Sequence, residues 1–353
     1  MKMLVAMSGG VDSSVAAAML VREGHDVTGV HLRLADLHGP AADGRIHGCC
    51  GVTDADDARR VAQVLDIPFY VWNLKDAFAD AVVRDFVDEY AAGRTPNPCV
   101  RCNEKIKFGA LLERATALGF DALATGHYVI ARGGRLFRSA DRAKDQSYVL
   151  ARITAGQLAR ARFPVGEQTK EQTRDIARSL SLRTADKPES FEICFVPDGN
   201  AGAFVERELG GARAGEVVTP AGDVIGTHAG IHRFTVGQRR GLGLATHDRV
   251  HVLEIDAPSN RVVVGPAELL ARGGLVAEDV SWISGTAPDA IDAVQVRAHG
   301  AAEPAVLQSE DADAAHVVFR APVRGIAPGQ LVAFYAGHEV LGGGTIARAL
   351  PVR

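Results

Sequence analysis

Nine residues near the N-terminus, Ala6-Met7-Ser8-Gly9-Gly10-Val11-Asp12-Ser13-Ser14, restrict what this chain can fold into more than any other stretch. Before them, Lys2 to Met7 (KMLVAM) is a short apolar run of the kind that forms a buried parallel strand. After them, Ser13 to Arg22 (SSVAAAMLVR) has the pattern of a helix, with Asp12 or Ser13 as its cap. A strand that turns on glycines into a helix N-terminus makes an anion site. The glycines let backbone approach a phosphate, and the free N–H groups of the first helical turn point at it.

The residue types decide among phosphate loops. A Walker A loop needs Lys-Ser/Thr after its glycines, and the dinucleotide fingerprint needs G-x-G-x-x-G; this stretch has neither. S-G-G-x-D-S resembles instead the PP-loop of the ATP pyrophosphatases, which cut ATP between its α- and β-phosphates and transfer AMP to an oxygen. The resemblance implies that Ala6, Met7, Ser8, Gly9, Gly10, Val11, Asp12 and Ser13 bind ATP. Asp12 would hold Mg²⁺ beside the pyrophosphate leaving group.

A length of 353 residues favours two or three domains. Up to about residue 150, strands and helices alternate. Strand patterns cover Asp26–Leu34, Pro68–Leu74 and Asp121–Thr125; helical patterns run from Thr53 through Leu65, Ala77 to Ala92 and Lys105 to Leu118. The expected class is α/β, a parallel sheet with helices on both faces. Ligands of such sheets bind beyond the carboxyl ends of the strands, so Ser8–Ser13, Leu32 and Gly126-His127 should converge. Ala35 to Gly51 reads as a polar, glycine-rich loop.

The chain is 47% apolar and 23% charged, the balance of a globular protein. No apolar run approaches membrane-spanning length, and the N-terminal LVAM is too short for a signal-peptide core. A cytoplasmic protein without membrane association is expected. Its five cysteines, Cys49, Cys50, Cys99, Cys102 and Cys194, should then be reactive or metal-binding thiols rather than structural disulfides. The net charge of −4 leaves nucleic-acid binding open, because that needs only a local basic surface.

Two prolines in Thr95-Pro96-Asn97-Pro98-Cys99-Val100-Arg101-Cys102-Asn103 deny helical continuity and predict a rigid, exposed loop. A further cysteine lies in Ser190-Phe191-Glu192-Ile193-Cys194-Phe195. The PP-loop, T-P-N-P-x-x-x-C-N-x-x-I-K-F (Thr95–Phe108), A-T-G-H-Y (Ala124–Tyr128), K-D-Q-S-Y (Lys144–Tyr148) and I-C-F follow one another in order. With Gly237-Gln238-Arg239-Arg240-Gly241-Leu242-Gly243 and Leu341-Gly342-Gly343-Gly344, they resemble the tRNA-specific 2-thiouridylases, the MnmA/TrmU family, over nearly the whole length.

That resemblance implies ATP-dependent 2-thiolation of the wobble uridine of tRNA, a tRNA-uridine 2-sulfurtransferase activity. It makes Cys102 the nucleophile and Cys194 the persulfide carrier, joined in a transient disulfide. It adds Leu32 and Gly126 to the ATP contacts and assigns Asn97, Pro98 and Cys99 to the target base. His127, Asp145, Gln146, Ser147, Arg297 and Gln330 would touch tRNA. The implied partners are the anticodon stem-loop and a sulfur donor protein, such as a cysteine desulfurase or relay protein, serving a monomer. Two positions depart from the family. Many members have Asp, credited with acid–base assistance, where this chain has Cys99, so a thiol would have to supply that assisting role. Arg297 is followed by Ala298, where members often have Tyr.

The chemistry makes sense of these residues on its own. Oxygen on C2 of uracil is a poor leaving group; adenylation converts it into part of a departing AMP. A persulfide on Cys194 could then supply sulfur, released as Cys102 forms a disulfide with Cys194. Both steps need thiolates, which Arg101, Lys105, Lys107 and a helix starting just after Cys102 would favour. Cys99, Cys102 and Cys194 could instead hold a [4Fe-4S] cluster with one iron open, as in other sulfur-transferring relatives. A lone C-x-x-C with no second pair does not complete a Cys₄ zinc site. Two rival functions share the PP-loop. One is a different PP-loop enzyme, such as an amide-forming synthetase or a 2-thiocytidine synthase; the second is an ATP- and RNA-binding protein without sulfur chemistry. Cys49-Cys50 reads as a loop feature without a catalytic role. The surface segment Thr184 to Gly199 is expected to refold to bring Cys194 in.

His127 reads either as a satisfied structural histidine or as a phosphate or tRNA contact. Asp145-Gln146-Ser147 reads as a helix cap that could also touch tRNA. Arg132, Arg135, Arg138, Arg142 and Lys144 span a predicted hairpin, a solvated face that could track phosphates. From about residue 203 short β-like runs replace helices: Gly215–Val218, Val224–Gly226 and Val250–Ile255, then Val276 onward, Ala293–Ala298, Ala315–Phe319, Gln330–Tyr335 and Glu339–Leu341. A barrel closes short strands without exposed edges. The expected division is a catalytic domain over 1–202, a small β-rich tRNA-contacting domain over 203–273 and a β-barrel over 274–353.

Overall fold

The computed structural model describes residues 1–35, 52–188, 193–196, 198–244, 249–311 and 314–352. The expected loop up to Gly51, with Cys49 and Cys50, lies outside them except for Ala35. The first unit runs β1 (Lys2–Ala6), α1 (Val11–Arg22), β2 (Asp26–Arg33), α2 (Val52–Val64), β3 (Phe69–Asn73), α3 (Lys75–Phe78), a π-helical turn (Ala79–Val83) and α4 (Arg84–Ala91). It continues through α5 (Pro98–Arg101), a π-helical stretch (Cys102–Leu111), α6 (Leu112–Ala117), β4 (Ala122–Ala124), the hairpin β5 (Val129–Arg132) and β6 (Arg135–Arg138), α7 (Ala155–Ala159), β7 (Ala161–Arg162) and α8 (Lys170–Ser179).

Five of these strands form a parallel sheet in the order β3-β2-β1-β4-β7. The chain winds from β1 outward to β3, then returns to β4 on the other side of β1. The reversal puts the carboxyl end of β1 at the switch point, where such sheets open a crevice. β1 is buried on both faces, which is why KMLVA lacks polar alternation. Met3 and Val5 pack with Val15, Leu20, Val61 and Ala177 of α1, α2 and α8. Leu4 packs oppositely, with Phe78, Phe86, Ile106 and Leu111.

A second unit comprises α9 (Ala201–Glu208), β8 (Gly215–Val218), β9 (Val224–His228), β10 (His251–Asp256) and β11 (Arg261–Gly265), in the sheet order β10-β11-β8-β9. The third has β12 (Ala271–Trp282), β13 (Ala293–Gln295), β14 (Ala302–Asp311), β15 (Ala314–Arg324), β16 (Leu331–Ala336) and β17 (Glu339–Leu350). Pairing runs β12-β15-β14-β13-β16-β17, and β12 also pairs with β17, closing a six-stranded barrel. The α/β class and the closing barrel follow the sequence reading; β11 and β14 were not anticipated. The hairpin of the first unit joins the barrel sheet: β6 pairs with β17 through Glu339↔Phe137 and Val340↔Leu136.

Candidate active site

The phosphate loop is built by two close approaches. Gly9 has φ +79°, and a Cβ on it would lie 2.2 Å from the Asp54 carbonyl oxygen at the start of α2. A Cβ on Gly126, just past β4, would lie 2.5 Å from the Ser13 nitrogen. Both must be glycine for β4, α1 and α2 to meet here. Gly10 is extended and serves as the N-cap of α1 without a side-chain cap; the helix starts at Val11, so Asp12 and Ser13 lie inside its first turn. This corrects the expected Asp12 or Ser13 cap: the extended glycine already turns the chain. Ser13 Oγ instead accepts from the Ser8 N–H at 3.1 Å and Ser14 Oγ donates to the Gly10 carbonyl at 2.8 Å, bracing the loop.

Asp12 is the charged centre of this turn. Lys170 Nζ donates to both its oxygens, at 2.8 and 2.9 Å, and the Tyr128 hydroxyl donates to Oδ1 at 2.9 Å. Lys187 Nζ donates to the Gly9 carbonyl at 3.0 Å and also meets Asp54 at 2.7 Å and Asp57 at 2.8 Å. Burial opposes that charge, but the two carboxylates raise the pKa of Lys187 above the ordinary lysine value. Sequence reasoning missed Lys170, Lys187 and Tyr128. Only the cap of α8 was legible, where Thr169 and Gln172 exchange the two hydrogen bonds of a capping box.

The structure corrects the segment around Cys102. Asn97 Oδ1 accepts from the Cys99 and Val100 N–H groups, Pro98 takes the first helical position, and the helix starts there. The prolines therefore open a helix rather than forming an exposed loop, and Thr95, Pro96 and Pro98 are buried. Cys102 is the fifth helical residue and 8% exposed. It lies in the apolar cluster that also holds Phe78, Phe86 and Phe195, and Cys194 packs against the same cluster. Phe195 meets Phe78, Phe86 and Phe204 edge-on at 5.6, 5.2 and 5.3 Å, anchoring the residue after Cys194. Cys99 is exposed.

Two of the cations expected to favour the Cys102 thiolate, Arg101 and Lys105, meet carboxylates. Arg101 faces Asp85, Glu104 and Asp279, and Lys105 faces Glu104. Burial would raise the pKa of Glu104, but Arg152, then Lys105 and Arg101, hold it below its ordinary value. The expected helix start just after Cys102 is also corrected: the helix begins at Pro98, four residues earlier, so Cys102 lies beyond the first turn, where the helix dipole acts most.

The remaining expected contacts have protein partners. Leu32 is buried near the end of β2 beside Trp72 of β3. His127 shares a hydrogen bond through Nδ1 with Thr125 Oγ1 at 2.8 Å and lies near Phe108 and Phe163. Burial, and then Lys107, lowers its pKa well below the ordinary histidine value, so the ring is neutral. Asp145 accepts from the Ser139 and Ser147 N–H groups, pairs with Arg138 at 3.1 Å and precedes only a short 3₁₀ turn. The Gln146 side chain accepts from the Tyr128 N–H at 2.9 Å. Arg297 donates weakly to the Arg324 carbonyl at 3.4 Å. Gln330 donates to the Thr95 carbonyl at 2.8 Å. Arg132 and Arg135 of the hairpin pair with Glu167 and Glu339.

Among the described residues no group of three His, Cys, Asp or Glu side chains could hold a metal ion. Cys99, Cys102 and Cys194 therefore form no cluster cradle, and the iron–sulfur reading goes no further. A magnesium ion that travels with a nucleotide needs only one or two protein carboxylates, and Asp12 fits that part.

Residues 1–198 match the model described as "tRNA methyl transferase HUP domain". Residues 202–266 match "tRNA methyl transferase PRC-barrel domain" and 272–346 "Aminomethyltransferase beta-barrel domain". The chain is 52% identical to the tRNA-specific 2-thiouridylase MnmA of Acidothermus cellulolyticus, covering 99% of this chain and 98% of that one. The chain belongs to the MnmA family. The MnmA proteins of Mycobacteroides abscessus and Mycolicibacterium vanbaalenii are also 52% identical, each covering 99% of this chain and 100% of its own. The MnmA resemblance read from the motifs and this relationship agree.

Proposed function

We propose that the chain is an ATP-dependent tRNA 2-thiouridylase acting on the wobble uridine. The observation that carries this reading is the pairing of a lysine-free phosphate loop at the sheet switch point with two thiols, Cys102 and Cys194, bordering one apolar cluster beside it. The uracil O2 attacks the α-phosphorus of ATP, the α–β bridge breaks, and pyrophosphate leaves with the electron pair. Asp12 would hold Mg²⁺, which offsets phosphate charge during this step. The outer sulfur of a Cys194 persulfide then bonds to C2 as AMP departs with the C–O electron pair, and the Cys102 thiolate attacks Cys194 Sγ, breaking its S–S bond so that the outer sulfur leaves on C2 with that electron pair and a Cys102–Cys194 disulfide remains. Asn97, Pro98 and Cys99 are the contacts for the flipped-out base. Cytoplasmic reductants would reopen the disulfide, and a persulfide-donating protein would reload Cys194.

The test is thiolation of tRNA by the purified chain with ATP, Mg²⁺ and a sulfur donor, read by nucleoside mass spectrometry. Thiouridine should form with the wild type and be lost in Cys102→Ser and in Cys194→Ser. Unchanged thiouridine in either variant would overturn the reading.

A further inference from the structure

Asp279 has φ +51° in the middle of β12. Few residues other than glycine take that conformation inside a strand, and it persists only where the surroundings hold it. Here the strand carries an extra residue: against β17, Glu278 is opposite Thr345 but Ser281 is opposite Gly343. A bulge of this kind re-aims a side chain out of the regular alternation. The residue it re-aims faces the first unit. Arg152 Nη2 donates to Asp279 Oδ2 at 2.8 Å, and Arg152 Nη1 donates to the Asp279 carbonyl at 2.6 Å. Arg101 lies 3.7 Å from the same carboxylate.

These two arginines lead to Cys102. The Arg152 side chain is 7% exposed, and its Nε lies 3.0 Å from Glu104. Arg101 meets Asp85 of α4 at 3.3 Å and Glu104 at 3.4 Å. Asn103 Nδ2 donates to the Val149 carbonyl at 3.2 Å. The residues on both sides of Cys102 are therefore held from outside their own helix. The helix has a use for such ties here. Its winding passes from α to π at Cys102, and π turns are rare unless their surroundings hold them. Apolar packing is not directional, whereas a guanidinium fork on a carboxylate admits one arrangement.

We propose that Asp279 is a positioning residue for the Cys102 thiol: the bulge of β12 sets Arg152 and Arg101, and these set the turn from Arg101 to Glu104 on which Cys102 sits. This rests on the reading of Cys102 as the thiol that attacks Cys194, and adds the barrel residue that aims it. Asp279 takes no part in making or breaking bonds. Its effect falls on the rate of sulfur release and not on the capture of tRNA, since a misaimed nucleophile attacks slowly while the binding surfaces stay as they were.

The test measures thiouridine formation in a single turnover, with ATP and Mg²⁺. The full chain is in excess over tRNA and is preloaded with persulfide by a cysteine desulfurase. Asp279→Gly keeps the positive φ and removes the carboxylate. Its maximal rate should fall about tenfold, with the half-saturating chain concentration and the urea midpoint unchanged. Asp279→Asn tolerates the same backbone, keeps an acceptor for Arg152 and should recover part of the rate. Equal losses in both variants would trace the effect to charge rather than to aim, and would overturn the proposal. So would a wild-type rate in Asp279→Gly, or in Arg152→Lys should the glycine variant not fold. A change confined to the half-saturating concentration would make Asp279 a tRNA contact and would overturn it too. Cys102→Ser in the same assay separates the two readings. Thiouridine formed by Cys102→Ser at the wild-type rate would remove the proposed function and this inference together. An inactive Cys102→Ser beside an unimpaired Asp279→Gly would remove this inference alone.

Discussion

Gln330 Nε2 donates to the Thr95 carbonyl at 2.8 Å, so the turn entering β16 holds a segment 235 residues earlier in the chain. The neighbouring Thr95 N–H donates to the Pro328 carbonyl at 2.8 Å, and a Cβ on Gly329 would meet that nitrogen at 2.8 Å. The barrel thus fixes the entry to the helix that carries Cys99 and Cys102. Gln330→Ala removes the donor and should cost about 1 kcal/mol. Alkylation of the exposed Cys99 should also change rate. An unaltered rate together with unaltered stability would show that the tie does not position the segment.

Lys187 separates two carboxylates that otherwise face one another beside Gly9. Lys187→Met should lower stability by about 1–2 kcal/mol in urea unfolding. The same change in an Asp57→Asn background should cost less, because one repulsion is gone. Additive losses would mean that the three groups act independently.

Gly126 lies against the first turn of α1. Gly126→Ala should destabilise by about 1–3 kcal/mol, since the end of β4 and the helix must part. It should also weaken nucleotide binding, read by titration with an ATP analogue. Gly156→Ala serves as the contrast. It lies in α7 with nothing within 4 Å of its would-be Cβ, and should gain about 0.5–1 kcal/mol. A Gly126→Ala protein as stable as the wild type would show that the contact yields.

His127 is held neutral, its pKa depressed by burial from the ordinary 6.5. Burial depresses His31, His228 and His232 as well. Each of these rings binds a proton more readily when unfolded. Stability is therefore full above pH 6.5 and falls as the pH drops below it. Melting curves from neutral pH down to about pH 5 should show that decline, and His127→Gln should show a shallower one. Parallel declines would remove His127 as a source.

The first sheet was legible because a doubly buried strand shows as an unbroken apolar run, and a phosphate turn shows as glycines before a helix. The barrel was legible as a succession of short β runs. The site was legible only in part. Cys102 and Cys194 stood out as chemistry, but the partners of Asp12 did not, since Tyr128 and Lys170 come from 116 and 158 residues away. Pro98 shows the other limit. The same residue that forbids a helix interior opens a helix at its first position, and only the Asn97 cap decides between the two.

The hairpin that follows Gly126 and His127 runs out through β5 and ends in β6 as a rung of the barrel sheet, paired with β17. The two units therefore share main-chain hydrogen bonds rather than a flexible joint. Cutting the barrel away would strip β6 of its neighbour and leave Leu136, now fully buried, beside a bare strand edge ready to pair with any other chain. Trimming the barrel away should therefore yield a first unit that sticks to itself.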